Sequence, residues 1–242
     1  MNDILDHLAR FDTPTICNAL EGLAPETRLA GFTRRPVVAQ PEGWRAPDGH
    51  RAICGRARTV RIRASEPHPR SAAETRALKT AYYDWIADGG PSVMVVEDVD
   101  PEPMGAFWGE VNSAIHRGLG ARGCVTNGIV RDLDDLDPRF LILAGAVGPS
   151  HAHVHWLDYG QGARVFGMDV PEGVLVHADR HGAVVVPDAA LEALPDAIAA
   201  LQTRERPLIE AGRAGLAPAE LARRLRSIVE DAGATAAAEG HA

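Results

Sequence analysis

Two short polar clusters, separated by one helical pattern, contain the residues best suited to chemistry. Gly109 and Glu110 stand at the start of the helical pattern, and the turn from Asn127 to Asp132 follows an apolar run. If the runs Ser92 to Glu97 and Gly123 to Thr126 are neighbouring parallel strands, their carboxyl ends lie on the same edge of a sheet. Both clusters then face one crevice.

That crevice brings together three kinds of chemical group. The start of the helix offers free backbone N–H groups and the positive end of the helix dipole, and Arg131 offers a guanidinium. The carboxylates of Glu110 and Asp132 can hold a hard cation. The combination predicts a site for a small anionic substrate and a divalent metal ion.

Each feature also has a simpler interpretation. Asn127 followed by Gly128 is often only a tight turn, Arg131 and Asp132 can be a surface ion pair, and Trp108 fits a buried core. Only the joint placement of these residues favours a functional site.

Composition and charge limit the possible classes of protein. The chain has 242 residues, 45% of them hydrophobic and 24% charged, which is typical of one large globular domain or a domain with an appended piece. Its 25 Lys and Arg against 33 Asp and Glu give a net charge of −8, which argues against nucleic acid or an anionic membrane as partner.

Three widely spaced cysteines predict reduced thiols and a cytoplasmic location. The acidic start and the absence of a long apolar run predict neither export nor membrane spanning.

Apolar periodicity and turn residues predict the elements that position the two clusters. Helices are predicted from Pro14 to Glu21 with Thr13 as N-cap, from Ala72 to Ile86, and from Trp108 to Gly118. Strands are predicted at Arg58 to Arg63, Ser92 to Glu97, Cys124 to Thr126, Phe140 to Ala144, Val174 to His177 and Ala183 to Val186, with a short one at Pro36 to Ala39 in an otherwise irregular stretch. The β-α-β succession predicts an α/β fold.

Two amphipathic helices are predicted after Pro187. Asp188 should cap the first, and the apolar positions of the two helices are Leu191, Leu194, Ile198 and Leu201, then Leu221, Leu225 and Ile228. The segment from Gly233 to Ala242 is predicted to be a flexible tail, and residues 1–232 are predicted to form one domain.

Five histidines near the carboxyl-terminal half allow more than one interpretation. His151, His153 and His155 alternate, so in a strand they would project to one face as metal ligands could, but they follow Gly-Pro-Ser, which equally favours a loop. His177 and His181 flank a short turn and fit an exposed loop between strands.

The motifs resemble those of a known family. Trp108-Gly109-Glu110, a helix, then Gly123-x-x-x-Asn127-Gly128-x-x-Arg131-Asp132, and later Ala178-Asp179-Arg180-His181-Gly182, are similar to motifs of the RraA-like family. That family contains the class II 4-hydroxy-4-methyl-2-oxoglutarate and 4-carboxy-4-hydroxy-2-oxoadipate aldolases and the regulators of ribonuclease E activity. Segments Asp12 to Leu20 and Cys54 to Val60 also match, so the resemblance extends over roughly Asp12 to Pro187.

The resemblance implies a fold, an assembly and an activity. The fold is α/β, of the β/β/α swivelling phosphohistidine-domain type with C-terminal helices, and the assembly is a homotrimer or homohexamer with active sites at subunit interfaces. The activity is metal-dependent cleavage of a 4-hydroxy-2-oxo dicarboxylic acid to pyruvate, with oxaloacetate decarboxylation as a side activity.

The resemblance also implies roles for individual residues. Asp132 would hold Mg²⁺ or Mn²⁺ with Glu110 beside the metal, and Arg131 would bind the 2-oxo acid and stabilise the enolate. Next to Gly109, the backbone N–H groups of Val111 and Asn112 would receive the pyruvyl carboxylate.

Two departures from the family pattern leave alternatives open. Asn127 stands at a substrate-binding position where the aldolases usually carry Asp, and the acidic residue expected from a neighbouring subunit has only Glu205, with Glu210 behind it, as candidate. The alternatives are a non-catalytic RraA-like regulator that masks a ribonuclease, and a related lyase or hydratase for another hydroxy acid.

Overall fold

The computed structural model describes residues 2–38 and 50–239 of the chain. The chain forms two compact units, one ending at Glu192 and one beginning at Ala193. Both polar clusters belong to the first unit. A single domain through residue 232 stays a prediction.

The first unit is a mixed α/β structure, as predicted. Its helices α1 to α4 are Asn2–Leu8, Thr13–Leu23, Ala72–Ala87 and Glu110–Gly118. Its described residues form strands β1 to β13, in chain order Val37–Val38, Ile53–Arg63, Ser92–Asp98, Ala106–Trp108, Ala121–Thr126, Ile129–Val130, Leu141–Ala144, Ala146–Val147, His155–Tyr159, Ala163–Val165, Met168–Val170, Leu175–Asp179 and Gly182–Val186. Ala39, predicted to end the first strand, lies outside the described residues.

The larger sheet has the strand order β1-β7-β5-β3-β2-β12-β13, and β9 pairs with the second half of β2. Strands β2, β3, β5 and β7 run parallel to one another. Nearly every residue of β3, β5 and β7 is buried, because a parallel sheet is covered on both faces and its strands are therefore apolar throughout. The predicted β-α-β succession is confirmed by β3, α4 and β5.

A second, smaller parallel sheet continues three of these strands. β4, β6 and β8 follow β3, β5 and β7 in turn and pair in the order β4-β6-β8. The chain leaves the larger sheet at Asp98, Asn127 and Gly145. A Cβ at Gly145 would lie 2.1 Å from the carbonyl oxygen of Asn127, so only glycine allows these two crossings to touch.

Two predicted helix caps are wrong. Asp12, and not Thr13, caps α2: its carboxylate accepts from the N–H of Thr15 at 3.0 Å. Asp188 lies in a 3-10 turn and forms a 2.6 Å ion pair with Arg56, so it caps no helix.

His177 lies in a strand, as predicted from Val174 to His177, and the interpretation as an exposed loop residue is wrong. It is fully buried on β12, where Nδ1 lies 3.0 Å from the hydroxyl of Thr13 and Nε2 lies 3.2 Å from the carbonyl oxygen of Leu8. Asp179, two residues later, accepts from the N–H of Thr13 at 3.1 Å. Strand β12 thereby holds the end of α1 and the start of α2.

The second unit consists of helices α5, Leu194–Arg213, and α6, Pro218–Glu239, which contact each other. The predicted apolar positions Leu194, Ile198 and Leu201 are buried. Helix α6 continues past Gly233, where a tail was expected, and the flexibility of that segment stays a prediction. Within the described ranges no helix is both long and apolar enough to cross a membrane.

The stability of the protein should depend on pH through His177. Burial lowers the pKa of its imidazole to about 4. The unfolded chain takes up this proton near pH 6.5, so the free energy of unfolding falls as the pH drops from 6.5 towards 4. Between pH 7.5 and 5 this residue should account for a loss of about 2 kcal/mol.

His177→Gln tests this prediction because glutamine does not titrate. We expect the variant to be less stable than wild type at pH 7.5 but to lose less stability on acidification, measured by thermal unfolding with circular dichroism. His116, also buried with its pKa lowered to about 4, continues to titrate in the variant. An identical pH dependence in both proteins would contradict the prediction.

Candidate functional site

Gly109 and Glu110 meet Arg131 and Asp132 at the carboxyl ends of β4 and β6. The prediction of a single turn from Asn127 to Asp132 is wrong, because β6 separates Asn127 from Arg131. Trp108, the last residue of β4, pairs with Val130 of β6, and its carbonyl oxygen accepts from the N–H of Arg131 at 2.9 Å. Trp108 is a buried strand residue, so α4 begins at Glu110 and not at Trp108 as predicted. The parallel pairing places the start of α4 beside Arg131 and Asp132.

The carboxylate of Asp132 lies against the first turn of α4. Its Oδ2 accepts from the N–H of Glu110 at 3.3 Å and is 3.4 Å from Nε of Arg131. The positive end of the helix dipole and the guanidinium both favour a negative charge at this point. The side chains of Arg131 and Asp132 are 37% and 35% exposed, so a ligand can reach them.

Asp132 also has an unusual backbone conformation. Its φ is +55°, in the left-handed region that most residues other than glycine avoid and that Asp and Asn tolerate best. Such conformations cost energy and cluster at functional sites. The strain supports a functional role for this residue.

Gly109 provides the space that the Asp132 carboxylate occupies. Its backbone is extended, with φ −172°, so glycine is not required for its conformation. A Cβ at this position would, however, lie 2.4 Å from Oδ2 of Asp132 and 3.1 Å from Cγ of Arg131. Close approach is therefore the reason for glycine at this position.

Two backbone N–H groups at the start of α4 are available to a ligand. Those of Val111 and Asn112 have no acceptor among the described residues, as is usual in the first turn of a helix. Val111 is 64% exposed. The side chain of Asn112 donates to the carbonyl oxygen of Phe107 at 2.5 Å, which fixes the approach to the helix and leaves the Asn112 N–H free.

The side chain of Asn127 is engaged within the protein. Its Oδ1 accepts from the N–H of Asp98 and its Nδ2 donates to the carbonyl oxygen of Asp98, both at 2.8 Å. Each end of the amide is thus already engaged once, which leaves a substrate only the second lone pair of Oδ1 or the second hydrogen of Nδ2. Asn127 is predicted from the sequence to be part of a simple turn or a substrate-binding residue. Neither prediction includes its two hydrogen bonds to Asp98.

Asp98 is a buried carboxyl residue that the sequence motifs do not single out. It is 2% exposed; Oδ1 accepts from the N–H of Asp100 at 3.0 Å, and Oδ2 has no partner among the described residues. Burial, together with the negative charge of Asp100, raises the pKa of Asp98 to about 6. Its position directly after the predicted strand from Ser92 to Glu97, on the sheet edge where the sequence predicts the crevice, is the signal that could have indicated it.

The three alternating histidines do not converge. His151 and His153 are exposed in a loop, while His155 begins β9, is buried, and has Nδ1 2.8 Å from the carbonyl oxygen of His153. In the part of the chain that the structure describes, no group of three or more His, Cys, Asp or Glu side chains is arranged to hold a metal ion. A metal site formed by these histidines is therefore not supported.

The acidic candidates from the C-terminal region lie on α5. Glu205 is half-buried and Glu210 is exposed. Both belong to the second compact unit. A role at a neighbouring subunit's site stays a prediction for either residue.

The donors at the start of α4 fit a hard divalent cation better than zinc. Asp132 and the exposed Glu110 supply carboxylate oxygens, and zinc sites usually combine three or four His, Cys or carboxylate ligands. Mg²⁺ is often bound through one or two carboxylates, with water and substrate completing its shell. Asp132 and Glu110 match that pattern.

The chain belongs to the RraA-like family. The family model described as Aldolase/RraA matches residues 13–185, well over half of the chain. This confirms the resemblance shown by the Arg131-Asp132 turn and the Asp179 block. No curated protein matches the sequence significantly.

Solved structures with similar folds confirm the fold class. An uncharacterized protein from Pseudomonas syringae pv. tomato str. DC3000 is 20% identical with a TM-score of 0.69, and the match covers 94% of each chain. RraAS2 of Streptomyces coelicolor, described as an unusual member of the RNase ES inhibitor RraA protein family, is 21% identical with a TM-score of 0.63. That match covers 85% of this chain and 95% of RraAS2.

A pair of glycine substitutions in the α4 region tests the close approach at Gly109. Gly109→Ala places a methyl group 2.4 Å from the Asp132 carboxylate, which must move away, and should lower the free energy of unfolding by about 0.5 to 1.5 kcal/mol through loss of its hydrogen bond to the helix. Gly118→Ala, at the other end of the same helix with no atom within 4 Å of the added Cβ, should be neutral or stabilising.

Thermal unfolding of both variants measures the difference. If Gly109→Ala were as stable as Gly118→Ala, the Asp132 carboxylate would not be held against the helix as described.

Proposed function

We propose that the protein is a divalent-metal-dependent lyase that cleaves a 4-hydroxy-2-oxo dicarboxylic acid and releases pyruvate. The observation that supports this most strongly is the accessible carboxylate of Asp132, held between the N-terminus of α4 and Arg131. The family to which the chain belongs includes aldolases. Site and family therefore favour the same class of reaction.

The substrate's carboxylate would bind at the start of α4. The free N–H groups of Val111 and Asn112 and the helix dipole favour an anion there. The guanidinium of Arg131 would donate to the adjacent 2-oxo oxygen. This arrangement orients a 2-oxo acid by its two adjacent oxygen-bearing groups.

Retro-aldol cleavage breaks the bond between C3 and C4 of such a substrate. The 4-hydroxyl loses its proton and becomes a carbonyl, and the electron pair of the broken bond forms the enolate of pyruvate, which is then protonated at C3. Arg131 would stabilise the developing enolate charge, and a water molecule beside Glu110 would take up the hydroxyl proton. Decarboxylation of oxaloacetate yields the same enolate and is expected as a side activity.

Mg²⁺ or Mn²⁺ is the proposed cofactor, with Asp132 and Glu110 as its protein ligands. A divalent cation supplies Lewis-acid polarisation of the 2-oxo group when bound. We further propose a homotrimer or homohexamer in which Glu205 of one subunit reaches the site of another.

A non-catalytic regulator that masks a ribonuclease is the second candidate. The similarity to RraAS2, at 21% identity, supports the shared fold. Masking a partner does not require a carboxylate and a guanidinium paired at a helix N-terminus, nor the left-handed backbone of Asp132. The site therefore favours the lyase. A lyase or hydratase acting on another hydroxy acid would use the same groups and would differ in its product.

The metal requirement can be tested with a panel of 4-hydroxy-2-oxo acids and a coupled assay for pyruvate. We expect turnover with Mg²⁺ or Mn²⁺ and loss of turnover on chelation. Asp132→Asn, which tolerates the left-handed backbone but lacks the charge, should behave like the chelated enzyme.

Replacement of the exposed His151 and His153 by alanine is the matched control and should leave turnover unchanged. Absence of metal-dependent turnover across the panel would favour the regulator, and product other than pyruvate would favour the related lyase or hydratase.

Arg131 can be tested by its effect on rate. The interaction of Arg131 with the substrate should strengthen as enolate charge develops. Removal of this donor should therefore lower kcat by a factor on the order of 10² to 10³. Arg131→Lys keeps the charge but lacks the planar fork and should also be strongly impaired.

The opposing expectation is that Arg131 is only a surface partner of Asp132. In that case its loss costs at most about 1 kcal/mol of stability and leaves turnover intact. Steady-state kinetics and melting curves of Arg131→Ala and Arg131→Lys distinguish the two, and near-wild-type kcat/KM in either variant excludes the proposed role.

A further inference from the structure

We infer that Asn127 is a positioning residue whose side-chain amide joins the ends of β3 and β5 and so sets the spacing between the two halves of the candidate site. Only the kinetic consequence rests on the proposed function, because the bonding itself is a property of the fold. Asn127 would then act through the backbone and not by contact with substrate.

The backbone of Asp98 bonds to both ends of the Asn127 side-chain amide. Oδ1 accepts from the N–H of Asp98 and Nδ2 donates to its carbonyl oxygen, both at 2.8 Å. In this chain the side chain at position 127 therefore accepts and donates at once, which an amide can do and an ionised carboxylate cannot. Asn127 is half-buried, so a lost bond leaves a backbone group poorly solvated.

The two halves of the site leave the larger sheet from these two residues. From Asp98 the chain continues through β4 to Gly109 and α4, and from Asn127 it continues through β6 to Arg131. At the far ends of these segments the N–H of Glu110 is 3.3 Å from Oδ2 of Asp132, near the upper limit for a hydrogen bond. A small outward shift of either segment therefore breaks this bond.

The surroundings of Asn127 also oppose a negative charge. Asp98 and Asp100 are buried carboxyl residues on the neighbouring strand end, and Arg63, with Nε 3.6 Å from Asp100, is the cation beside them. An ionised carboxylate at position 127 would face the Asp98 carbonyl oxygen, to which it could not donate. A protonated carboxyl could again donate to that carbonyl oxygen, so the defect should diminish at low pH.

Asn127→Asp and the matched control Asn18→Asp, on an exposed position of α2, test the inference by thermal unfolding. At pH 7.5 we expect Asn127→Asp to melt about 5 °C below the control. At pH 5.5 the difference should shrink, because protonation restores the second bond. Equal melting temperatures at pH 7.5, or a difference independent of pH, would overturn the inference.

Kinetics separate positioning from direct contact. With wild-type turnover established, Asn127→Asp should lose on the order of tenfold in kcat at pH 7.5 with little change in KM, since the site is displaced but its groups remain. A large rise in KM without any loss of thermal stability would instead show that Asn127 contacts substrate, and would overturn the inference. If wild type releases no pyruvate, the proposed function fails while the unfolding data still decide the role of Asn127.

Hydrogen exchange of the wild-type protein covers the case in which Asn127→Asp does not fold at either pH. The Asp98 amide, bound to Asn127 Oδ1, should exchange at least about a hundredfold more slowly than a free amide. Exchange at the rate of a free amide would overturn the inference.

Discussion

The contact between three chain crossings determines where the candidate site lies and how its parts are spaced. Strands β3, β5 and β7 leave the larger sheet at Asp98, Asn127 and Gly145 and enter the smaller sheet as β4, β6 and β8. The strands are parallel, so all three crossings occur on one edge. Arg131 and the N-terminus of α4 lie a few residues beyond β6 and β4, and their separation depends on how closely these crossings contact each other.

The sequence predicts those parts of the fold that depend on repeated patterns. The apolar runs of β3, β5 and β7 and the apolar faces of α3 and α5 each extend over several residues, so the order of apolar residues in the sequence predicts which of them are buried. The position of the candidate site follows from the same patterns, because parallel strands place Glu110 and Asp132 on one edge without further information. The N–H of Glu110 does lie 3.3 Å from Asp132.

Features that depend on contacts distant in sequence could not be predicted. Strands β4, β6 and β8 have two or three residues each, too few to show a period. Thr13 is a residue type that often caps helices, but its hydroxyl bonds to His177, 164 residues away. Asp12 caps helix α2 instead. Asn127-Gly128 is typical of a turn, whereas the amide of Asn127 bonds to a strand end 29 residues earlier.

The left-handed backbone at Asp132 has a consequence for how such a scaffold changes over generations. Glycine and asparagine both adopt φ +55° at little cost, and neither supplies a carboxylate. The codons for both are reached from an aspartate codon by one nucleotide change. A gene for this fold can therefore lose the charged group in one mutational step while the backbone conformation at position 132 remains accessible to the new residue.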